Sequence, residues 1–297
     1  MGKRHGFHTG DWESIATRMD EIIRAHSGED PFDEALKLLV ARLIHEISSA
    51  SGEPFLTSPG NSVHHVNRLL RQAAERWPGV LNPRATTRLN EVELTRCAAI
   101  LSATQLLSED LIGLDAIFEV MVSRAAKGQK GQYFTPRYVI AEVVKMLCPQ
   151  PGELVADLAC GSGGFLRHAL LHEPRCSVWG FDQDLRACRI ARVMLAASGQ
   201  EASRIVCVDS LKLAAKRTDK TPTIEEIMRS KIRGFHGFDL ILTNPPFAGD
   251  VGKEFSEHYQ LARGRRVERD IFRSYAPRAK CLGTLGFARK VRMASRT

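Results

Sequence analysis

The stretch "ELVADLACGSGGF", residues 153–165, decides the fold. Its first half is a short apolar run that ends on an acid, Asp157. Its second half holds Gly161, Gly163 and Gly164, which let a backbone turn tightly against a ligand. The first half predicts a strand, and the glycines predict the turn into a helix starting at about Gly164. A helix start of this kind offers N–H groups to an anion. A G-x-G-G loop by itself is weak evidence. A dinucleotide fingerprint would want a third glycine at position 166, where Leu166 stands, so NAD is disfavoured.

The grammar repeats downstream. "CSVWGFD" (176–182) predicts a second strand, followed by a helix from Asp184 to about Ala197. "RIVCVDS" (204–210) predicts a third, and after a polar insert "FDLILTN" (238–244) predicts a fourth. Upstream, Thr135-Pro136 predicts the cap of a helix through about Cys148. Strand–helix–strand alternation implies an α/β fold: a doubly wound, mostly parallel Rossmann-like sheet. Ligands of such sheets sit at the carboxyl ends of the strands, near the switch in strand order.

Three of these strands end on acids: Asp157, Asp182, and Asp209 followed by Ser210. Asp182 lies 25 residues beyond Asp157, near the roughly 20 expected for a carboxylate that takes ribose hydroxyls. Each acid alone also suits a cap or a turn. Together, beside a glycine loop, they point to a nucleoside site. The fourth strand ends differently, in "LILTNPPFAG" (240–249). Pro245 and Pro246 lack the N–H a ladder needs, so the strand must stop at Asn244. That stop is either ordinary or a means of holding an amide and a carbonyl still.

Residues 1–127 carry helical stripes instead. Ile15, Met19, Ile22 and Ile23 share one face; Phe32, Leu36, Leu39, Val40, Leu43, Ile44 and Ile47 share another, behind Asp30 as N-cap and Pro31. Val63, Val66, Leu70, Ala73, Ala74 and Trp77 make a third stripe. Asn90 and Glu93 have capping-box spacing before a fourth helix to about Leu107, and Leu114, Ile117, Phe118, Met121, Val122 and Ala125 make a fifth. These predict an all-α bundle, joined at "AAKGQKGQYF" (125–134) to a second domain over 128–270.

Composition narrows the classes. The net charge of +8 is concentrated at one end: residues 261–297 hold 11 Lys/Arg and 2 Asp/Glu, against 31 and 32 in the rest. Charge therefore says little about what the body binds. No uncharged apolar run approaches the roughly 18 residues of a membrane span, and "MGKRHGFHTG" has no apolar signal region. The seven cysteines form no CxxC pair and the ten histidines no ligand spacing, so we expect reduced thiols, a cytoplasmic location and no metal.

"DLACGSGGF", "GFD", "VDS" and "TNPPF", in that order, resemble an S-adenosylmethionine-dependent amino-methyltransferase. "GQYFTPRYV" before the first strand narrows the resemblance to the adenine-N6 DNA methyltransferase (modification) subunit of type I restriction–modification systems. It covers residues from about 1 to 270, most specifically 128–248. The resemblance implies S-adenosyl-L-methionine contacts at Gln132, Tyr133, Phe134, Thr135, Pro136 and Arg137, and at Asp157, Gly161, Ser162, Gly163 and Gly164. Asp182 would take the ribose hydroxyls and Asp209 the cofactor's adenine. Leu158 stands where the family often has proline.

The catalytic residues implied are Asn244, Pro245, Pro246 and Phe247. The amino nitrogen of adenine is a poor nucleophile, and fixed acceptors aimed at its hydrogens would stabilise the charge that grows on it. The Asn244 side-chain carbonyl and the Pro245 backbone carbonyl would be those acceptors, with Phe247 a face for the flipped base. Partners implied are double-stranded DNA, a specificity subunit and a restriction subunit. Glutamine of a protein or guanine of RNA is the rival substrate, and a truncated scaffold that only docks to a specificity partner is the non-enzymatic rival. In 271–297 no helical stripe or run of β-formers continues the fold. We expect a domain incomplete at its C-terminal end, with this tail out of register after a truncation near Ile271, a basic nucleic-acid arm, or a divergent folded end.

Overall fold

The computed structural model describes residues 9–27, 31–49, 54–56, 60–102, 105–107, 112–125, 135–210 and 222–244, and the backbone course of 279–282 and 286–290. The chain divides into two compact units: Met1–Gly128 with Arg192–Ser203, and Gln129–Ala191 with Arg204–Thr297.

The first unit carries helices α1 (Thr9–Ser27), α2 (Pro31–Ser48), α3 (Ser62–Arg76), α4 (Glu91–Ser102) and α5 (Ile112–Ala125). The apolar stripes are its core: Ile15, Met19, Ile23, Leu36, Leu39, Leu43, Val66, Leu70, Ile117 and Phe118 are all buried. Helix α1 packs on α5, α4 and α2, and α2 on α3. The capping box at α4 forms, with Asn90 Oδ1 accepting the Glu93 N–H at 3.1 Å and Glu93 Oε2 accepting the Asn90 N–H at 2.9 Å. The helix stops at Ser102 rather than near Leu107. The Glu46 carboxylate of α2 accepts the Leu106 and Leu107 N–H groups at 3.1 and 2.9 Å, so those donors have a partner without a helix. Asp30 lies outside the described residues.

The second unit holds α6 (Arg137–Leu147), β1 (Leu154–Asp157), α7 (Gly164–His172), β2 (Ser177–Asp182), β3 (Ile205–Cys207), α9 (Ile224–Lys231), β4 (Leu240–Thr243), β5 (Ala279–Leu282) and β6 (Gly286–Lys290). Helix α8 (Leu185–Ala197) follows β2. The sheet order is β3-β2-β1-β4-β6-β5. Strands β1 to β4 are parallel, and β6 runs antiparallel to β4 and to β5. One face packs Ala156, Trp179, Phe181 and Ile241 against Ile224 and Met228 of α9 and against Phe235 and Phe238. Each large side chain buried this way contributes roughly 1.5–3 kcal/mol. Helix α7 covers the other face, against β1, β2 and β4. Gly180 of β2 is a close-approach glycine: a Cβ there would meet Ile205 Cδ1 at 2.6 Å and Leu166 Cδ1 at 2.8 Å.

Two expectations need correcting. The insert before the fourth strand contains α9, signalled by Thr223 and Glu226, which form a complete capping box. The tail, read as holding no strand, contributes β5 and β6 to the sheet. A hairpin can satisfy the open edge of β4 with backbone groups alone, which is why no run of β-formers announced it.

Buried charge in the helical unit gives a test. Glu34 and Lys37 are both buried; the Glu34 carboxylate takes Lys37 Nζ at 2.7 Å, the Thr87 hydroxyl at 2.8 Å and the Arg88 N–H at 3.2 Å. Glu34 is the shared acceptor, so removing it takes a partner from all three donors, whereas removing Thr87 takes only one from Glu34. Lys37 keeps Asp33 at 2.7 Å, so Glu34→Ala should lower stability by roughly 2–4 kcal/mol. Thr87→Val should cost about 1 kcal/mol. Urea unfolding followed by circular dichroism measures both, and equal losses would contradict the network.

Candidate active site

The site follows from strand direction. Crossovers lead from β1 to β2 and β3 on one side, and β4 lies on the other side of β1, so the order reverses between β1 and β4. Parallel pairing sends all four carboxyl ends to one edge. Asp157 ends β1, Asp182 ends β2, Asp209 follows β3 and Asn244 follows β4.

The glycine loop is held by Asp182. Its Oδ2 accepts the Gly161 N–H at 2.8 Å and its Oδ1 accepts the Asp184 N–H at 2.9 Å, tying the loop after β1 to the turn after β2. A carboxylate has about four acceptor positions, so capacity remains for hydroxyls. Gly163 has φ +89° as the N-cap of α7, and its N–H donates to Cys160 O at 2.7 Å. A side chain there would be strained, and its Cβ would lie 3.5 Å from that of Ala191. Further backbone bonds, Cys160 N–H to Phe181 O at 2.9 Å and Val208 N–H to Asp182 O at 2.8 Å, join the three strand ends. The Ser210 hydroxyl donates to Leu158 O at 2.5 Å.

Asp157 is 1% exposed. Burial pushes its carboxyl up to about 7, with the Thr243 hydroxyl and the Ala159 N–H pulling the other way and Asp182 adding to the rise. The Ala159 N–H donates to it at 3.1 Å. The Thr243 hydroxyl lies near enough to act on this carboxyl yet outside hydrogen-bond geometry, and it has no partner among the described residues. Burial raises Asp182 as well, opposed by the N–H groups it accepts. Burial also raises the Cys160 thiol, with help from both carboxylates. No described basic side chain compensates Asp157.

Asn244 presents the most unusual geometry. Its Nδ2 donates to Thr135 Oγ1 at 2.9 Å. Its Oδ1 is buried and has no partner among the described residues. Leaving a buried carbonyl unsatisfied costs roughly 1–3 kcal/mol, and such exceptions call for an explanation. Thr135 does not cap α6, whose N-cap is Pro136 with no side-chain hydrogen bond.

The fold thus brings Thr135, Asp157, Gly161, Ser162, Gly163, Gly164, Asp182, Asp209 and Asn244 to the ends of neighbouring strands or the segments beside them. Pro136 and Arg137 begin α6 next to Thr135. Gln132, Tyr133, Phe134, Pro245, Pro246 and Phe247 lie outside the described residues. Sequence reasoning missed Thr243 and Cys160. Alternation along the paired strands sets Leu242, level with Asp157, on its face and Thr243 on the other, so local reasoning did not place Thr243 beside that carboxyl, and nothing in the sequence announced Cys160. No group of three or more His, Cys, Asp or Glu among the described residues could hold a metal ion. No described helix is long and apolar enough to cross a membrane.

Known proteins are similar to this chain in sequence and fold. The family model "N-6 DNA Methylase" matches residues 108–277. The methylase subunit of the Escherichia coli type I restriction enzyme EcoEI is 23% identical over 195 residues, 65% of this chain and 37% of that protein. The type II methyltransferase M.VspI of Vibrio sp. (strain 343) is 28% identical over 145 residues, 48% of this chain and 31% of its own length. The chain therefore spans less than two fifths of either curated relative. In fold it is similar to the type I restriction-modification methyltransferase subunit from Streptococcus thermophilus, with a TM-score of 0.51 and 14% identity over 85% of this chain and 67% of that one. With the family model covering more than half of its residues, the chain belongs to the N-6 DNA methylase family.

Proposed function

We propose that this chain is an adenine-N6 DNA methyltransferase subunit of a restriction–modification system, transferring a methyl group from S-adenosyl-L-methionine to a flipped adenine in double-stranded DNA. The observation that carries the reading is the Asn244 carbonyl at the end of β4, buried and without a partner among the described residues, one strand from Asp157. The names of the relatives, a type I methylase subunit among them, support the class. We assign target choice to a specificity subunit and cleavage to a restriction subunit, and place the work in the cytoplasm. Residues 1–127 form the helical domain of this proposal, 128–270 the cofactor-binding domain and 271–297 a basic tail.

The residues present fit the cofactor. Asp157 is a buried carboxyl with no cationic partner among the described residues, and a ligand carrying positive charge would supply one. Asp182 keeps acceptor positions for ribose hydroxyls beside the Gly161–Gly164 turn, and Asp209 lies on the same edge for the adenine. Bound S-adenosylmethionine supplies an electrophilic methyl group on a sulfonium. The chain's own contribution is to prepare the acceptor nitrogen. Asn244 Oδ1 accepts one hydrogen of the adenine amino group and the Pro245 carbonyl accepts the other, which localises the nitrogen lone pair and stabilises its growing positive charge. The fixed φ of Pro245 and Pro246 holds those acceptors in advance, and Phe247 stacks on the base. An amide is no base at neutral pH, so the proton leaves after transfer.

Tritiated-methyl transfer to unmethylated DNA, with and without a type I specificity subunit, tests the function. Label recovered as N6-methyladenine is the expected result. Label on protein or RNA would overturn the substrate. Retained cofactor binding without any label would favour the docking scaffold. Asn244→Ala should lower transfer by about 100- to 1000-fold or more, with the cofactor dissociation constant nearly unchanged.

The Asp157 carboxyl predicts a pH dependence. Its pKa in the fold is about 7 against 3.8 ordinarily. A raised acid contributes stability that is complete below the ordinary value and is lost as pH rises through the folded one. The unliganded chain should therefore lose up to roughly 4 kcal/mol from this group between about pH 4 and 7. Cofactor binding, which favours the carboxylate, should strengthen about tenfold per pH unit up to about 7 and then level off. Calorimetry and thermal melts on wild type and Asp157→Asn measure both; a pH slope unchanged in the variant would remove Asp157 from this role.

A further inference from the structure

We infer that Thr135 is a positioning residue: its hydroxyl fixes the Asn244 side-chain amide with the NH2 occupied and the carbonyl left available to the substrate amine. This rests on the reading of Asn244 given above, and it gives Thr135 a task different from cofactor contact.

The polarity of the contact carries the inference. The chain has five asparagines: 61, 67, 82, 90 and 244. Asn67, Asn82 and Asn90 each turn the carbonyl onto a backbone N–H, at 2.8, 2.9 and 2.9 Å respectively. Asn244 does the reverse, donating through Nδ2 to Thr135 Oγ1 while Oδ1 stays buried without a partner among the described residues. A hydroxyl can donate or accept, so either amide orientation could meet Thr135. The flipped amide would bury an NH2 with no acceptor, and orphaned N–H groups are rarer than under-satisfied carbonyls. The observed orientation is thus the better tolerated one, and it is the one that substrate recognition needs.

The two residues are 109 positions apart. Strand β4 fixes one and the start of α6 fixes the other. Removing the hydroxyl would leave the Asn244 amide to rotate, and a displaced acceptor weakens chemistry more than binding.

The test compares Thr135→Val, which removes the hydroxyl and keeps the shape, with Thr135→Ser, which keeps the hydroxyl. Thr135→Ala is the second variant should valine fail to fold. Selective 15N-asparagine labelling yields five side-chain amide pairs, and Asn244→Ala identifies the relevant one. In wild type and Thr135→Ser its protons should exchange slowly with water; in Thr135→Val or Thr135→Ala they should exchange fast. In transfer assays, Thr135→Val should lower kcat by roughly 10- to 100-fold while leaving the cofactor dissociation constant within about twofold. Thr135→Ser should restore kcat. A weakened cofactor with intact kcat would overturn the inference, as would unchanged exchange in both hydroxyl-less variants. Should the wild type methylate no DNA, the proposed function fails, and the exchange measurement still decides the positioning.

Discussion

A parallel strand pair cannot slip by one residue without turning every inward side chain outward. The pairing of β1 with β4, Val155 with Leu240 and Ala156 with Ile241, carries that constraint here. Both strands are buried along nearly their whole length, so both faces resist a slip. The register fixes where each strand runs out. Asp157 and Asn244, far apart in sequence, arrive on one edge only because β1 and β4 are parallel and adjacent. Everything proposed for chemistry inherits its geometry from this pair.

The two acids of the edge divide the work through their surroundings. Asp182 is answered from within the chain by the N–H groups of Gly161 and Asp184. Its charge holds the glycine loop in shape before any ligand arrives. Asp157 is more deeply buried, and its one hydrogen bond among the described residues is from the Ala159 N–H, so burial raises its carboxyl to about 7. One carboxylate is a structural clamp with spare acceptor capacity. In the proposed function, the charge of the other is the one a bound ligand would balance.

The sequence made the four parallel strands, the Gly164 helix start and the helical stripes legible, because period-2 and period-3.6 patterns and glycine punctuation are local signals. Helix α9 was legible too, in Thr223 and Glu226, but the polarity of the surrounding insert hid it. The end of α4 was not: it is set by Glu46, a residue of another helix. Strands β5 and β6 were not, since their place is decided by the open edge of β4. At the site, residue types announced Asp157, Asp182 and Asn244. The partner of Asn244 lay beyond local reasoning, because Thr135 beside Pro136 has the look of an ordinary cap.

That mistaken cap is informative. A side-chain cap is typically worth about 1 kcal/mol to a helix, and α6 begins without one. Beside it, an asparagine carbonyl is buried with no partner among the described residues, at a further cost of roughly 1–3 kcal/mol. Both departures meet in one hydrogen bond, from Asn244 Nδ2 to Thr135 Oγ1. Natural chains break local rules chiefly at sites held for function, where the surrounding fold over-determines the strained group. Here the buried sheet supplies that support. The conjunction therefore reads as preorganisation: the fold gives up local stability on both sides of one contact and gains a fixed acceptor at the switch point of its sheet.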